Sequence, residues 1–260
     1  MLKAGAQMGR TIAIANQKGG VGKTTTSVNL SACLAYLGKK TLLIDIDPQG
    51  NASSGVGINK KEIEGCIYDV LIEDEPMESY IHETKIEHLW IVPATMSLAG
   101  AEIELVSAIS REVRLKRALD EVKDDFDYII IDCPPSLGLL TINALTAADG
   151  VLIPVQCEYY ALEGLSQLLS TVRLVQKHLN KELVIEGVLL TMLDARTNLG
   201  LQVIEEVKKY FREKVYKSII PRNVRLSEAP SHGKPIILYD VRSRGSDTYT
   251  ELAREVIKNG

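Results

Sequence analysis

The sequence predicts an α/β fold, with a doubly wound, mostly parallel sheet and helices on both of its faces. Short apolar runs alternate with helical patterns along the chain, which is typical of parallel sheets. The runs are mostly continuous rather than alternating, as expected for strands that are buried on both faces. The predicted strands are residues 11–16, 41–45, 89–93, 128–132, 150–155 and 185–191.

Between these strands, apolar residues recur at helical spacing. Residues 23–37 show this pattern and are followed by Gly38, which is typical of a helix C-terminus. Residues 162–179 and 201–211 have similar patterns. Residues 55–125 are the least regular part, and we expect a helical excursion over one edge of the sheet.

Length and composition indicate one globular domain. The 260 residues are 45% hydrophobic and 25% charged, which excludes a disordered, collagen-like or disulfide-stapled chain. No linker divides the chain, so we expect a single domain over residues 10–260 after a loose tail at residues 1–9. No segment is apolar enough to span a bilayer and no signal peptide is visible, so the expected location is the cytoplasm.

The four cysteines are scattered along the chain without a C-x-x-C pair. Cysteines in such a setting are mostly small core residues, and we favour that interpretation. A role of Cys66 or Cys133 in binding a metal cluster is the alternative.

Charge is distributed unevenly along the chain. The 30 basic and 34 acidic residues give a net charge of −4, but residues 173–226 carry +5 and residues 1–172 carry −9. A basic block in an acidic protein is either a footprint for a polyanion or the solvated surface of helices. The charge pattern alone leaves both interpretations open.

A glycine-rich turn follows the first predicted strand. Residues 16–25 read NQKGGVGKTT, which matches the end of the phosphate-binding pattern G-x-x-x-x-G-K-[ST] but lacks its first glycine at Gln17. The glycines allow backbone N–H groups to face phosphate oxygens. Lys23 can neutralise the β- and γ-phosphates, and Thr24 can bind Mg²⁺. The strand before the turn and the helix after it indicate a P-loop nucleoside triphosphatase.

Acidic residues end two of the predicted strands. Asp132 closes the run YIIID, and Asp45 and Asp47 lie in DIDPQGN. The carboxyl ends of parallel strands form the ligand side of such a sheet. Asp132 is therefore predicted to hold Mg²⁺. One of Asp45 and Asp47 is predicted to orient a water or contact Mg²⁺, and the other to brace the loop.

The motifs KGGVGKTT, DIDPQGN and IIIDCPPS, in this order, resemble the deviant Walker A superfamily of ATPases. Within it the chain is similar to the ParA/Soj-type chromosome-partitioning ATPases, in the short form without an N-terminal helix-turn-helix domain. The resemblance runs from about Arg10 to the C-terminus. It includes LTMLDARTNL at 190–199 and IIPRNVRLSEAPSHGKPI at 219–236, which are more specific than the P-loop.

The resemblance implies a role for each motif. Lys18, the additional lysine of the deviant motif, would reach the nucleotide of a second subunit in a homodimer that sandwiches ATP. Asp47 would position the attacking water, and Lys18, Lys23 and Asp47 would be the catalytic residues. Thr24, Asp47 and Asp132 would serve Mg²⁺. The implied ATP contacts are Lys18, Gly19, Gly20, Val21, Gly22, Lys23, Thr24, Thr25, Pro221 and Asn223.

The resemblance also implies partners. In this family the ATP-bound dimer binds double-stranded DNA without sequence preference, and a ParB-type centromere-binding protein stimulates hydrolysis. Arg196 and Arg225 match positions that carry DNA binding, and both lie in the basic block at 173–226. We therefore expect nucleoid association and salt-sensitive DNA affinity. Further basic residues that could extend this surface are Lys208, Lys209, Arg212, Lys214 and Lys217.

Other functions share the nucleotide motifs. A MinD-type membrane-associated positioning ATPase, the main alternative, would need a basic amphipathic C-terminal helix, whereas residues 246–260 carry mixed charges. A metal-cluster electron-transfer ATPase would need paired cysteines. A small-molecule kinase or ligase would need an acceptor pocket, which the sequence does not identify. The partitioning ATPase without a membrane partner is the favoured hypothesis.

Overall fold

The computed structural model describes residues 9–158, 165–194 and 198–259. Within these residues the chain forms a seven-stranded sheet in the order β3-β4-β2-β5-β1-β6-β7. Neighbouring strands are parallel except for β3, which pairs antiparallel with β4 at one edge. The strands are β1 (Arg10–Ile14), β2 (Thr41–Asp45), β3 (His82–Glu83), β4 (Leu89–Val92), β5 (Tyr128–Asp132), β6 (Gly150–Gln156) and β7 (Val184–Thr191).

Helices connect these strands, and further helices follow the last strand. Short 3₁₀ turns at Met77–Tyr80, Lys123–Asp125, Arg212–Lys214 and Ala229–His232 supplement them. The helices are α1 (Lys23–Tyr36), α2 (Asn51–Gly55), α3 (Ile67–Ile72), α4 (Leu98–Ser107), α5 (Arg114–Asp120), α6 (Leu139–Ala147), α7 (Leu165–His178), α8 (Asn198–Phe211), α9 (Val224–Glu228), α10 (Ile236–Tyr239) and α11 (Arg244–Asn259).

The predicted fold class is confirmed because both faces of the sheet are covered. Successive residues of β1 point to opposite faces: Ile12 and Ile14 join the core beneath α1 and α11, whereas Ala13 joins the core beneath α3 to α8. A strand with apolar neighbours on both sides has no polar face to present, which explains the continuous apolar runs.

The structure refines the predicted boundaries. The first strand ends at Ile14 rather than at residue 16, because the Asn16 side chain donates to the Pro154 carbonyl (2.7 Å) and accepts from the Lys18 N–H (3.0 Å), which turns the chain. The two-residue strand β3 was not predicted, since so short a run carries no periodicity. The irregular part of the chain supplies α3, α4 and α5, as well as β3 and β4.

Two predictions fall partly outside the described residues. Helix α7 begins its described part at Leu165, so residues 162–164 of the predicted helix lie outside it. Of the predicted tail at residues 1–9, only Gly9 is described, and it is buried. All four cysteines are buried and free, which agrees with their interpretation as core residues.

The strand register brings the acidic residues together. Asp132 at the end of β5 is the register partner of Asp45 on β2 and of Ile14 on β1, directly before the glycine-rich turn. The carboxyl edge of the sheet therefore gathers the P-loop, the DIDPQGN loop and the end of β5 in one place.

Candidate nucleotide-binding and hydrolysis site

The glycine-rich turn has the backbone shape of a phosphate cradle. Gly20 and Gly22 have φ angles of 74° and 88°, a region that residues with a Cβ rarely adopt. Around the Cβ positions that Gly19 and Gly20 lack, no heavy atom beyond their chain neighbours lies within 4 Å. Helix α1 begins at Lys23, so its N-terminal N–H groups and positive dipole end face the same space. The turn therefore fits a bound phosphate chain.

Side chains from distant strands hold this turn in place. Besides the Asn16 contacts, the Thr191 hydroxyl at the end of β7 donates to the Val21 carbonyl (2.8 Å). Thr26 and Tyr249 share a hydrogen bond of 3.2 Å, which ties α1 to α11. The cradle is thus braced from β6, β7 and the C-terminal helix.

Lys23 is a buried lysine beneath the turn. Its Nζ donates to the Lys18 carbonyl (3.0 Å). Burial lowers the pKa of the Lys23 ammonium, and the nearby Asp132, Cys133 and Asp47 oppose that shift. A desolvated cation with spare donors in this position is suited to phosphate oxygens, because the low local dielectric strengthens the attraction.

Asp132 has the properties of a cation ligand. Its Oδ1 accepts from the Ser27 hydroxyl (2.8 Å), whereas its Oδ2 is buried without a hydrogen-bond partner. Burial, reinforced by the charge of Asp45, raises the pKa of the Asp132 carboxyl to about 8. An unpartnered carboxylate oxygen is costly in the interior unless a cation meets it. This oxygen and the half-buried Thr24 hydroxyl fit Mg²⁺.

The described residues contain no group of three or more His, Cys, Asp or Glu side chains arranged to hold a metal ion. A Mg²⁺ ion here would therefore take its remaining ligands from phosphate oxygens and water, which is its usual mode of binding at nucleotide sites. Its chemical contribution would be to neutralise charge on the phosphates.

The structure separates the roles of Asp45 and Asp47. Asp45 is fully buried and accepts from the Ser53 N–H and hydroxyl (both 2.8 Å) and from the Asp47 N–H (3.1 Å). Burial raises the pKa of Asp45 to about 6. Asp45 is therefore the residue that braces the loop. Asp47 accepts from the Gln49 N–H (2.9 Å) and lies close enough to Lys23 to influence its pKa.

A cavity of about 540 Å³ continues from the cradle. It joins Gly22 and Thr25 to Pro221 and Asn223, so the sequence-predicted phosphate and adenine segments share one space. Further lining residues include Thr191, Met192, Ile220, Leu226, Ser227 and Tyr249. These residues come from the end of β7, from the segment around α9 and from α11. All but Tyr249 lie within the segments 190–199 and 219–236 noted in the sequence, which did not mark them individually as nucleotide contacts.

Of the remaining predicted residues, Lys18 and Arg225 lie at the surface near the cavity, and Arg196 is not among the described residues. Lys18 is partly exposed at the outer turn of the cradle. Arg225 is exposed on α9. Asn223, two residues earlier, caps this helix because its side chain accepts from the Arg225 N–H (2.9 Å). Arg196 lies outside the described residues.

A parallel sheet with a phosphate cradle between β1 and α1, and with acidic residues at the neighbouring strand ends, defines a P-loop nucleoside triphosphatase. Residues 9–185 match the family model described as an AAA domain. The chain is 76% identical over 253 residues to the sporulation initiation inhibitor protein Soj of Bacillus subtilis, covering 97% of this chain and 100% of that protein.

A second curated relative, the chromosome partitioning protein ParA of Myxococcus xanthus, is 59% identical and covers 97% of this chain and 89% of that protein. The crystal structure of cobyrinic acid a,c-diamide synthase from Mycobacterium smegmatis, with bound ADP and magnesium, has a TM-score of 0.85 and 37% identity, covering 96% of this chain and 95% of that one. The chain belongs to the ParA/Soj family of chromosome-partitioning ATPases. It is an ATPase, and ATP and Mg²⁺ are the cofactors that its site fits.

Among the helices of the described residues, none has the length and apolar character that crossing a membrane requires.

Proposed function

We propose that this ATPase is a switch for the partitioning of chromosomes or plasmids. ATP closes a homodimer, the dimer binds double-stranded DNA without sequence preference, and hydrolysis opens the dimer and releases the DNA. The observation that carries the proposal is the position of α9. Its residues Leu226 and Ser227 line the nucleotide cavity, while Arg225 on the same helix is exposed to solvent. One short helix thus borders both ATP and the proposed DNA surface.

In the proposed hydrolysis step, the cradle N–H groups and Lys23 bind the phosphates, and Asp47 positions the attacking water. Lys18 reaches the nucleotide of the second subunit, where a further positive charge stabilises charge that develops during phosphoryl transfer. Thr24, Asp47 and Asp132 serve Mg²⁺. Asp45 holds the DIDPQGN loop against α2 through Ser53, which keeps Asp47 in place.

The proposed DNA surface extends from α9 over the basic block at 173–226. Arg196 and Arg225 are its principal contacts, and the exposed lysines of α8 add charge. Contacts of this kind go to phosphates, so they carry no sequence information and weaken steeply with salt. A ParB-type centromere-binding partner stimulates hydrolysis, and the ATP-bound protein is associated with the nucleoid.

The MinD-type alternative depends on a C-terminal helix that is available to a membrane. Helix α11 instead buries Tyr249, Leu252, Ala253 and Val256 against the core beneath α1. An apolar face that is already packed cannot also enter a lipid interface without leaving the core. This packing favours the partitioning function.

The test is fluorescence anisotropy of a random-sequence duplex with ATP, with ADP and without nucleotide, at two salt concentrations. Tight, salt-sensitive binding in ATP alone is the expected result. Arg225→Ala should weaken this binding while ATP-driven dimerisation persists. ATP-driven dimerisation with no DNA binding in any state would refute the DNA switch.

A further inference from the structure

Arg225 is exposed, but it is not unpaired. Its Nη1 donates to Glu228 Oε2 (2.9 Å), one helical turn further along α9. Its Nε lies 3.5 Å from Asp240 Oδ2, at the end of α10. The guanidinium group therefore has a carboxylate on each of two edges.

The two carboxylates are held by their own surroundings. Glu228 Oε2 also accepts from the Tyr239 hydroxyl (3.2 Å), and the Tyr239 ring stacks on His232 with the ring centroids 5.0 Å apart. The Arg225 hydrogen bond holds the pKa of the Glu228 carboxyl below its ordinary value, and Tyr239 and His232 act in the same direction. Glu228 is thus a fixed, ionised acceptor near neutral pH.

This arrangement conflicts with the simplest form of a DNA contact. A guanidinium binds phosphate best when its paired N–H donors are free for a bidentate contact. Here Nη1 already donates to Glu228, Nε faces Asp240, and the two carboxylates outnumber the one guanidinium. A DNA phosphate that contacts Arg225 must therefore compete with these two carboxylates for the guanidinium.

We propose that Glu228 and Asp240 form an acidic clamp on Arg225 that competes with DNA phosphate and so limits the DNA affinity of the protein. The clamp regulates the DNA surface of the proposed function and therefore rests on that function. When Arg225 is released from Glu228 and Asp240, its N–H donors are free to contact a phosphate. The clamp keeps the affinity low enough for DNA to dissociate once the dimer opens.

The experiment is a double-mutant cycle, read as DNA affinity in ATP by fluorescence anisotropy at fixed salt. Glu228→Gln and Asp240→Asn keep the shape of each side chain and remove its charge. Because an exposed ion pair is weak, each change should tighten DNA binding about two- to fivefold. In the Arg225→Ala background the same two changes should leave the affinity unchanged.

The control separates the clamp from general charge repulsion. Glu206 is an exposed carboxylate on α8, within the basic block, and it has no contact with Arg225 among those described. Glu206→Gln should give the same change in affinity with and without Arg225. ATP hydrolysis and thermal unfolding of the Glu228 and Asp240 variants should match the wild type, since neither residue lies in the nucleotide site.

Two results would overturn the clamp. Weaker DNA binding by Glu228→Gln would show that the carboxylate positions Arg225 rather than competing for it. Equal tightening in the Arg225→Ala background would show a general charge effect. Wild-type protein that dimerises with ATP but never binds DNA would refute the proposed function itself, and that result is distinct from either of these.

Discussion

At the scale of single residues, the site is built around two buried carboxyl groups whose burial is compensated to different degrees. Asp45 compensates for its burial with three hydrogen-bond donors, whereas Asp132 has one donor on Oδ1 and a buried, unpartnered Oδ2. Their register pairing adds mutual repulsion. The binding of a cation at Asp132 therefore relieves a cost that the fold already carries.

We predict that Asp132→Asn stabilises the nucleotide-free protein. The amide keeps the shape of the carboxyl and can still accept from Ser27, but it removes a buried charge. The free energy of unfolding should rise by about 1–3 kcal/mol, or roughly 3–10 °C in Tm, at pH 8. Calorimetry in EDTA measures this change. A fall in Tm would show that burial of the Asp132 carboxylate does not destabilise the fold. Mg²⁺ and ATP together should raise the Tm of the wild type, and this rise should be smaller in the Asn variant.

The stabilising effect of Asp132→Asn should depend on pH. Because the pKa of Asp132 is raised to about 8 in the folded state, the folded wild type keeps this proton where the unfolded chain has lost it. Wild-type stability therefore falls as pH rises from about 4 towards 8, and the Asn variant lacks this loss. The difference in Tm should be small at pH 5 and larger at pH 8. A difference in Tm that stays constant from pH 5 to pH 8 would show that the raised pKa of Asp132 is not the cause of the stabilisation.

At the scale of elements, the DIDPQGN loop depends on a glycine that has no room for a side chain. Gly50 precedes α2 with a φ of 61°, and a Cβ there would lie 2.6 Å from the Ala94 carbonyl oxygen. The Gly50 N–H donates to the Asp47 carbonyl (2.8 Å). The close approach of the two backbones thus fixes the loop that carries Asp47.

We predict that Gly50→Ala impairs both stability and hydrolysis. Gly38 is a matched control, since its φ is 81° and no heavy atom beyond its neighbours lies near the added Cβ. Gly38→Ala should lower the free energy of unfolding by only about 1–2 kcal/mol, the cost of a left-handed backbone conformation for a residue with a Cβ. Gly50→Ala should lower the free energy of unfolding by more than this. It should also slow ATP hydrolysis, because the loop must move away from Ala94. Chemical denaturation and steady-state ATPase assays measure the two effects, and equal behaviour of the two variants would refute the prediction.

Some elements could be predicted from the sequence and others could not. Strands β2 and β5 and the P-loop were predictable because buried strands and glycine turns have local signatures. Strand β3 was not, since two residues carry no periodicity. The positions of Thr191, Met192 and Tyr249 in the wall of the nucleotide cavity could not be predicted, because they depend on packing between segments that are distant in the sequence. The ion pairs of Arg225 could not be predicted from the sequence for the same reason.

At the scale of the whole molecule, the phosphate cradle lies at the surface and is open to solvent on one side. The cradle glycines Gly19 and Gly20 are exposed, and Lys18 beside them is partly exposed. The Lys18 backbone carbonyl accepts from Lys23, but no described hydrogen bond or ion pair holds its Nζ. The backbone of Lys18 thus contributes to the cradle of its own chain, and the free Nζ is what the proposed contact with a second subunit requires.

We predict that Lys18→Ala separates ATP binding from ATP-driven dimerisation. The substitution keeps the carbonyl that accepts from Lys23, so ATP affinity and Tm should stay close to those of the wild type. The lost ammonium should abolish the mass increase that light scattering detects with ATP and Mg²⁺ for the wild type. Lys39→Ala is the control, because this lysine is partly exposed, as Lys18 is, but lies after α1, away from the cradle. Its dimer should form normally. An intact ATP-driven dimer of Lys18→Ala would show that the second subunit is held by other contacts, whereas loss of ATP binding would place the Lys18 side chain in its own subunit's site.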